Sequence, residues 1–347
     1  MKNSKLYGNE PYLIAECAYS HDGDINYLQE SIKKIAEAIC IDAVKFHVLF
    51  DIQTYMCPDH DLYTRIQKWF FSETEWSDLI NSAQEMGLDV IILADDSGCL
   101  YFLESVQDKL AAIEIHACSL NDIDMLSQVS KFDIPIILGI GGSTIDEISF
   151  AIDYLKNRGK SDIVLMYGFQ NYPTRYEYIN LKKMQKIQDI FDLPIGYADH
   201  TSWNDENQEL ITLAGFVCGA SLIEKHFVLE KGENRIDYEA AISVGDFRSL
   251  YKKLEILQEA MGDGGIELNK YEKEYGKIGP MKKAIVSAKD IDKDEEISLQ
   301  NINFKRTNKI SSIKQKEVQN LLERKAKDKL RKNELITFEN TYLADRT

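Results

Sequence analysis

Two short segments carry the residue types of a metal site: Asp199-His200-Thr201 and, 26 residues after the first histidine, the second one in Glu224-Lys225-His226-Phe227. Imidazole nitrogens are common ligands for Mn, Fe, Co or Zn, and two of them leave coordination positions open. An open site suits a Lewis acid that polarises a substrate carbonyl better than it suits a closed structural role. One histidine after a strand is more often a hydrogen-bonded loop residue, but two such histidines, each near an acidic residue, reverse that balance. Glu16, Lys45, His47 and His116 also fall at the ends of apolar runs. A carboxylate there can move a proton, and a lysine can meet a carboxylate or a phosphate.

The elements that must position these residues are legible as short β-branched runs alternating with longer amphipathic stretches. That pattern marks repeated βα units. Eight runs qualify: Tyr12–Glu16, Ala43–Val48, Asp89–Leu93, Ala112–Ile115, Pro135–Gly139, Ile163–Tyr167, Pro194–Ala198 and Ser221–His226. Eight parallel strands predict a (β/α)8 TIM barrel, an α/β fold whose active sites lie at the carboxyl ends of the strands. Every residue singled out above sits at such an end. Helix starts are marked by Ser72-x-x-Glu75 and Ser143-x-x-Asp146, and helix stops by Gly87 and Gly159. Residues 49–71 form a connection too long for a simple βα turn, and long βα loops in barrels usually cap the site.

Residues 1–265 are read as the barrel domain, 266–281 as a linker of mixed glycine and charge, and 282–347 as a small β-rich domain. The tail repeats a strand, a K-[DN]-[DE] turn and another strand. Charge divides the same way: residues 280–347 carry 16 Lys+Arg against 11 Asp+Glu, a net of +5, which leaves −21 on residues 1–279. The whole chain, at −16, is a poor partner for nucleic acid or anionic lipid, because phosphate binding needs a basic surface. With 44% hydrophobic residues the chain has ample core. The N-terminus shows no apolar leader, no run of 18 apolar residues occurs, and the six cysteines lack CxxC spacing, so a reduced cytoplasmic protein is expected.

The ADHT and EKHF blocks resemble the metal pair of the sialic acid synthase family, which makes nonulosonic acids from phosphoenolpyruvate. Other blocks match in order. AECAYSHDG at Ala15–Gly23 resembles the family's AE-x-x-x-NHNG segment and puts Glu16 at its catalytic glutamate. DAVKFHVLF resembles the VKFQ strand, with Lys45 at a ligand-binding lysine and His47 where glutamine is usual. NYPTRYE at Asn171–Glu177 resembles the YPTPYE block, carrying Tyr172, and Asp237 falls at a family site aspartate. VSAKDIDKDEEISLQNINFKR resembles the family's antifreeze-like (SAF, β-clip) domain, in which Arg306 would reach a partner subunit's site.

The resemblance implies aldol-type condensation of phosphoenolpyruvate with an amino-sugar aldehyde. Glu16, His200 and His226 would be catalytic, and Lys45, His47, Gln170, Tyr172, Asp237 and Arg306 would bind substrate. His200 and His226 would hold a divalent metal, Mn2+ first with Mg2+ or Co2+ as alternatives, in a domain-swapped homodimer. Departures gather where the family holds the phosphate: Ala94, Glu114, Ala117, Gly139 and Ala198 replace residues that would bind it, and Gln170 replaces an asparagine. Glu114 in place of a lysine predicts a weaker hold on a phosphate dianion. The Gly139–Ser143 turn offers backbone N–H groups and a helix N-terminus as a substitute. Two other readings stay open: a metal-dependent lyase or aldolase on a different donor, and a silent sugar-binding barrel.

Overall fold

The computed structural model describes Leu6 and residues 10–343. Most of the opening segment read as free of a leader, residues 1–5 and 7–9, lies outside the described residues, as do residues 344–347. Two compact units divide the chain, residues 1–262 and 263–347.

Eight parallel strands close the first unit into a barrel in sequence order. They are β1 Tyr12–Ala18, β2 Ala43–Val48, β3 Asp89–Ala94, β4 Ala112–Ile115, β5 Ile136–Gly139, β6 Ile163–Tyr167, β7 Ile195–Ala198 and β8 Leu222–His226. Each expected strand is present, with ends moved by at most two residues. Side chains alternate across each strand with a period of two. Inward-facing Tyr12, Ile14, Ala43, Ile91, Ile137 and Leu222 therefore build an apolar plug in the lower barrel. Two residues further along the same faces come Glu16, Lys45, Leu93, Glu114 and Glu224, so the interior turns ionic toward the carboxyl ends. Register fixes the neighbours: Glu16 lies opposite Lys45 and His226, and Glu114 opposite Leu93.

The outward faces pack against a ring of helices: α1 Ile25–Ala36, α2 Glu73–Glu85, α3 Ser97–Leu103, α4 Ile123–Val129, α5 Ile145–Lys156, α6 Leu181–Phe191, α7 Gln208–Val217 and α8 Val244–Met261. Ser72 and Glu75 form the expected capping box on α2. On α5 the box is Thr144 with Glu147, one residue past the expected Ser143 and Asp146. Ser143 is drawn back instead by its N–H to the Ile140 carbonyl. Gly87 and Gly159 stop their helices at φ +84° and +83°. Residues 49–71 hold two helical turns, Ile52–Tyr55 and Tyr63–Ile66. Ile52, Ile66 and Trp69 from this segment bury against Tyr19 and Leu49 beside the barrel mouth.

The second unit holds two antiparallel pairs, β9 Ala284–Ser287 with β10 Ile302–Lys305 and β11 Arg324–Ala326 with β12 Thr341–Leu343. Its core is built from Ile285, Ile291, Ile297, Leu321, Leu330 and Ile336. The repeated turn is real: Asp294 and Asn333 occupy matching left-handed positions at φ +65° and +68°. In each copy a glutamate, Glu295 or Glu334, accepts the backbone N–H three residues earlier. The stretch read as a linker carries a helix, α9 Lys270–Tyr275, because Asn269 and Glu272 cap it reciprocally. Among the described residues no helix is long and apolar enough to cross a membrane.

Candidate active site

A cavity of about 590 Å3 opens at the carboxyl ends of the strands. Glu16, Lys45, His47, Glu114, Glu224 and the two histidines of the expected metal pair all line it, as do Gln170, Tyr172 and Asp237. Among the sequence-predicted residues Arg306 stands apart in the second unit, exposed, its Nε donating to the Pro280 carbonyl at 2.7 Å.

Lys45 sits at the floor, 1% exposed, with Glu16, Glu114 and Glu224 oxygens at 2.8, 2.9 and 2.7 Å from Nζ. An ammonium has three N–H bonds, and three carboxylates surround it. Lys45, expected to meet a substrate anion, is met in this structure by three carboxylates of the barrel itself. The negative charge of Glu114 is met by this lysine rather than left facing the pocket. Burial opposes ionisation of Glu16, but Lys45, His226 and His47 together hold its carboxyl well below the usual range. Glu224 goes the other way, pushed well above the usual range by burial and by the charge of Glu16. The two carboxyls are thus pulled in opposite directions, the kind of division from which acid–base chemistry is built.

His47 Nε2 lies 2.9 Å from Glu16 Oε1, and its Nδ1 3.5 Å from Asp95 Oδ2. Burial works against its charge, yet these two carboxylates push its pKa up to about 10, so it is an imidazolium. Tyr19 donates its hydroxyl to the same Asp95 oxygen.

Strands β7 and β8 bring the His200 and His226 rings to 5.0 Å between centroids. Behind them, Lys225 points out of the barrel and meets Asp199 Oδ2 at 3.2 Å, while Asp199 Oδ1 accepts the Thr201 N–H at 2.9 Å. This buried pair fastens the two strands together at the height of the histidines. His200 donates Nδ1–H to the Ala198 carbonyl at 3.0 Å. Burial and the neighbouring His226 hold its pKa down to about 3, which leaves Nε2 as the lone-pair nitrogen of a neutral ring. His226 Nδ1 lies 3.0 Å from Glu16 Oε2, and both its ring nitrogens are buried without a hydrogen-bond partner among the described residues. Histidine ligands of metals characteristically have one nitrogen oriented by an acceptor and the other free. His200 meets that test, and His226 presents buried ring nitrogens that a divalent cation could engage. No larger group of His, Cys, Asp and Glu suited to a metal occurs among the described residues, so two imidazoles would be the protein's share.

The upper wall comes from loops. Gln170 Nε2 donates to Asp237 Oδ1 at 2.8 Å, tying the loop after β6 to the loop after β8. The helix start after the glycine turn of β5 is partly occupied: Glu147 accepts the Thr144 N–H at 2.7 Å, and Thr144 Oγ1 accepts the Glu147 N–H. There is no room for a serine at Gly139, where a Cβ would come within 2.8 Å of the Ala117 nitrogen. Sequence reasoning passed over Asp95, Tyr19, Arg65 and Arg235, all at or beside the cavity. It also left unassigned the pair His116–Cys118, with Nδ1 and Sγ 3.1 Å apart. Asp95 had a signal, an acidic residue just past a strand; Arg65 and Arg235 had none beyond lying on long loops.

A family model described as the NeuB family matches residues 34–265. The chain is 29% identical over 322 residues to a protein of Campylobacter jejuni named N,N'-diacetyllegionaminic acid synthase, covering 88% of this chain and 93% of that one. It is 28% identical over 315 residues to a Helicobacter pylori protein named pseudaminic acid synthase, covering 86% and 88% of the two chains. The crystal structure of N-acetylneuraminic acid (sialic acid) synthetase from Leptospira borgpetersenii in complex with citrate matches with a TM-score of 0.70 at 25% identity, over 77% of this chain and 90% of that one.

Proposed function

The chain belongs to the NeuB family, and on that premise we propose that it condenses phosphoenolpyruvate with the open-chain aldehyde of an amino sugar to give a nonulosonic acid. The observation that carries the reading is the pairing of His200 and His226, ring centroids 5.0 Å apart in the lining of the cavity, beside a floor where Glu16 is pulled toward its ionised form and Glu224 toward its protonated one. A divalent cation held by the two histidines, Mn2+ or else Mg2+ or Co2+, supplies Lewis-acid polarisation of a carbonyl oxygen.

The rest falls to side chains. C3 of the enolpyruvyl donor attacks the aldehyde carbon, water adds at C2, and inorganic phosphate leaves to give a 2-keto acid. Glu224 is the carboxyl with a proton to give to the alkoxide formed at the aldehyde. Glu16, held toward its ionised form, would take part in proton transfer at the carbonyl or orient the sugar, and its Oε2 lies 3.0 Å from His226 Nδ1. Lys45 keeps three carboxylates together at the floor. Gln170, Tyr172 and Asp237 line the upper wall, where hydroxyl and amide groups of a sugar would be met. In the same reading the second unit is an antifreeze-like lid, and Arg306, exposed with Nε on the Pro280 carbonyl and Nη2 on the Met281 sulfur, enters the cavity of a partner subunit in a domain-exchanged homodimer.

The test is phosphate release from phosphoenolpyruvate with Mn2+ across a panel of N-acetylated amino sugars. A synthase liberates phosphate only with its proper sugar. An aldolase or a sugar-binding barrel liberates none, and that result with every sugar would overturn the proposal.

A further inference from the structure

The condensation reading requires a place for the phosphate of the donor, and the floor of the cavity offers none. Lys45 is enclosed by three carboxylates. Both nitrogens of His47 face carboxylates, and His116 gives Nδ1 to the Cys118 sulfur. His200 and His226 are the cation pair. Around them Ala117, Gly139, Gly141, Gly168 and Ala198 bring no hydroxyl, and the hydroxyls of the lining come from Tyr19, Tyr55, Tyr172 and Tyr238. At the helix start nearest the glycine turn, the capping box of Thr144 and Glu147 already pairs two of the backbone N–H groups.

Two cations lining the cavity remain, Arg65 and Arg235. They come from segments 170 residues apart in sequence, the long loop after β2 and the loop after β8. One carboxylate lies between them: Asp22, with Oδ1 3.6 Å from Arg65 and Oδ2 3.9 Å from Arg235. Both contacts are long, and each guanidinium carries five N–H bonds. Arg235 is held in place by its Nη1 donating to the Ser20 carbonyl at 3.1 Å and by stacking 3.8 Å over the Tyr27 ring. Glu233 engages its Nε at 2.9 Å, which leaves Nη2 available. Arg65 is looser, its side chain 53% exposed. A planar fork of donors matches a phosphate better than a lone ammonium does.

We propose that Arg65 and Arg235 form the subsite for the phosphate of the donor, at the rim of the cavity rather than at its floor. This rests on the condensation reading and extends it. The long loop then has a chemical task, carrying Arg65 to the anionic end of the ligand. Asp22 is the internal stand-in that keeps the two guanidiniums together until the phosphate arrives.

Calorimetric titration of the full chain with Mn2+ present tests this, using phosphoenolpyruvate, pyruvate and inorganic phosphate as probes. The variants are Arg65→Ala, at a largely exposed position, and Arg235→Lys, which keeps the charge and the packing on Tyr27. Loss of one charged hydrogen-bond partner should weaken phosphoenolpyruvate and inorganic phosphate roughly 10- to 100-fold in Arg65→Ala. Arg235→Lys should weaken them less, and pyruvate should bind each variant as it binds the parent. Equal losses for phosphoenolpyruvate and pyruvate, no loss for either, or a parent that binds the two alike would each overturn the rim subsite. If the parent still forms a nonulosonic acid from phosphoenolpyruvate while one of those results holds, only the rim subsite fails. If no sugar yields product, the condensation reading itself fails.

Discussion

Replacing Lys45 with methionine keeps the length of the side chain and removes the cation shared by Glu16, Glu114 and Glu224. The contacts with Glu16 and Glu114, at 2.8 and 2.9 Å, each represent about 6 kcal/mol of attraction at an effective dielectric near 20, and Glu224, pushed toward its neutral form, adds less. Most of it offsets the desolvation of the ammonium and the mutual repulsion of the carboxylates. The net loss should be that of breaking a buried pair, about 3–5 kcal/mol, or roughly 6–20 °C in the melting temperature of a domain this size. The pH dependence is diagnostic. In the parent, Glu16 is held well below the ordinary carboxylate range. Its stabilising contribution is present above the unfolded-state value and lost as pH falls through the folded one. Without Lys45 the carboxyls rise, so the deficit should be largest at about pH 8 and shrink toward about pH 5 as they take up protons. Circular-dichroism melts and urea unfolding at both pH values measure it. A variant within about 1 kcal/mol of the parent at both would show that Lys45 is not what holds the floor together, and that it is free for a ligand.

Three further outcomes follow from the same geometry. His200→Ala and His226→Ala should each remove most bound divalent metal in elemental analysis while far-ultraviolet circular dichroism is unchanged; full metal content in either would show that the pair is not the site. The Glu224 carboxyl is raised well above its ordinary value, so its effect on stability worsens as pH climbs from the unfolded value toward the folded one. Glu224→Gln should flatten that decline, and an unchanged slope in urea unfolding would mean that Glu224 is ionised in the parent. Mixing Arg306→Ala subunits with His200→Ala subunits should restore part of the activity through hybrid sites, and no recovery despite proven subunit exchange would exclude the exchange of C-terminal units.

The barrel could be read from the sequence because its signal is local and repeated. Each strand is a short β-branched run, and polar residues such as Glu16, His47 and His226 fall where an inward face meets solvent. The turn repeat around Asp294 and Asn333 was visible for the same reason, since a left-handed turn needs particular residues at one offset. What stayed hidden depends on which strand faces which. Lys45 and Glu114 are 69 residues apart in sequence and meet only through barrel closure, so a lysine and a glutamate that looked like a ligand and a repulsive charge prove to be each other's partners. The opposite protonation of Glu16 and Glu224 follows from that cluster and from no single position. Arg65 and Arg235 escaped notice because loops that converge in space share no periodicity. The start of α5 was misplaced by one residue because Ser143 and Thr144 are both good caps, and only Thr144 has a glutamate three residues on.

The central claim is that this barrel joins a three-carbon enolpyruvyl unit to an amino-sugar aldehyde. The direct measurement is to incubate the protein with Mn2+, phosphoenolpyruvate labelled with 13C at C3 and a mixture of N-acetylated amino sugars, and to follow the label by NMR and mass spectrometry. The account predicts a new methylene carbon bonded to a former aldehyde carbon, in a product heavier than the sugar by one pyruvate unit, with one phosphate released per product. Label that remains in phosphoenolpyruvate, or appears only in free pyruvate, would contradict it.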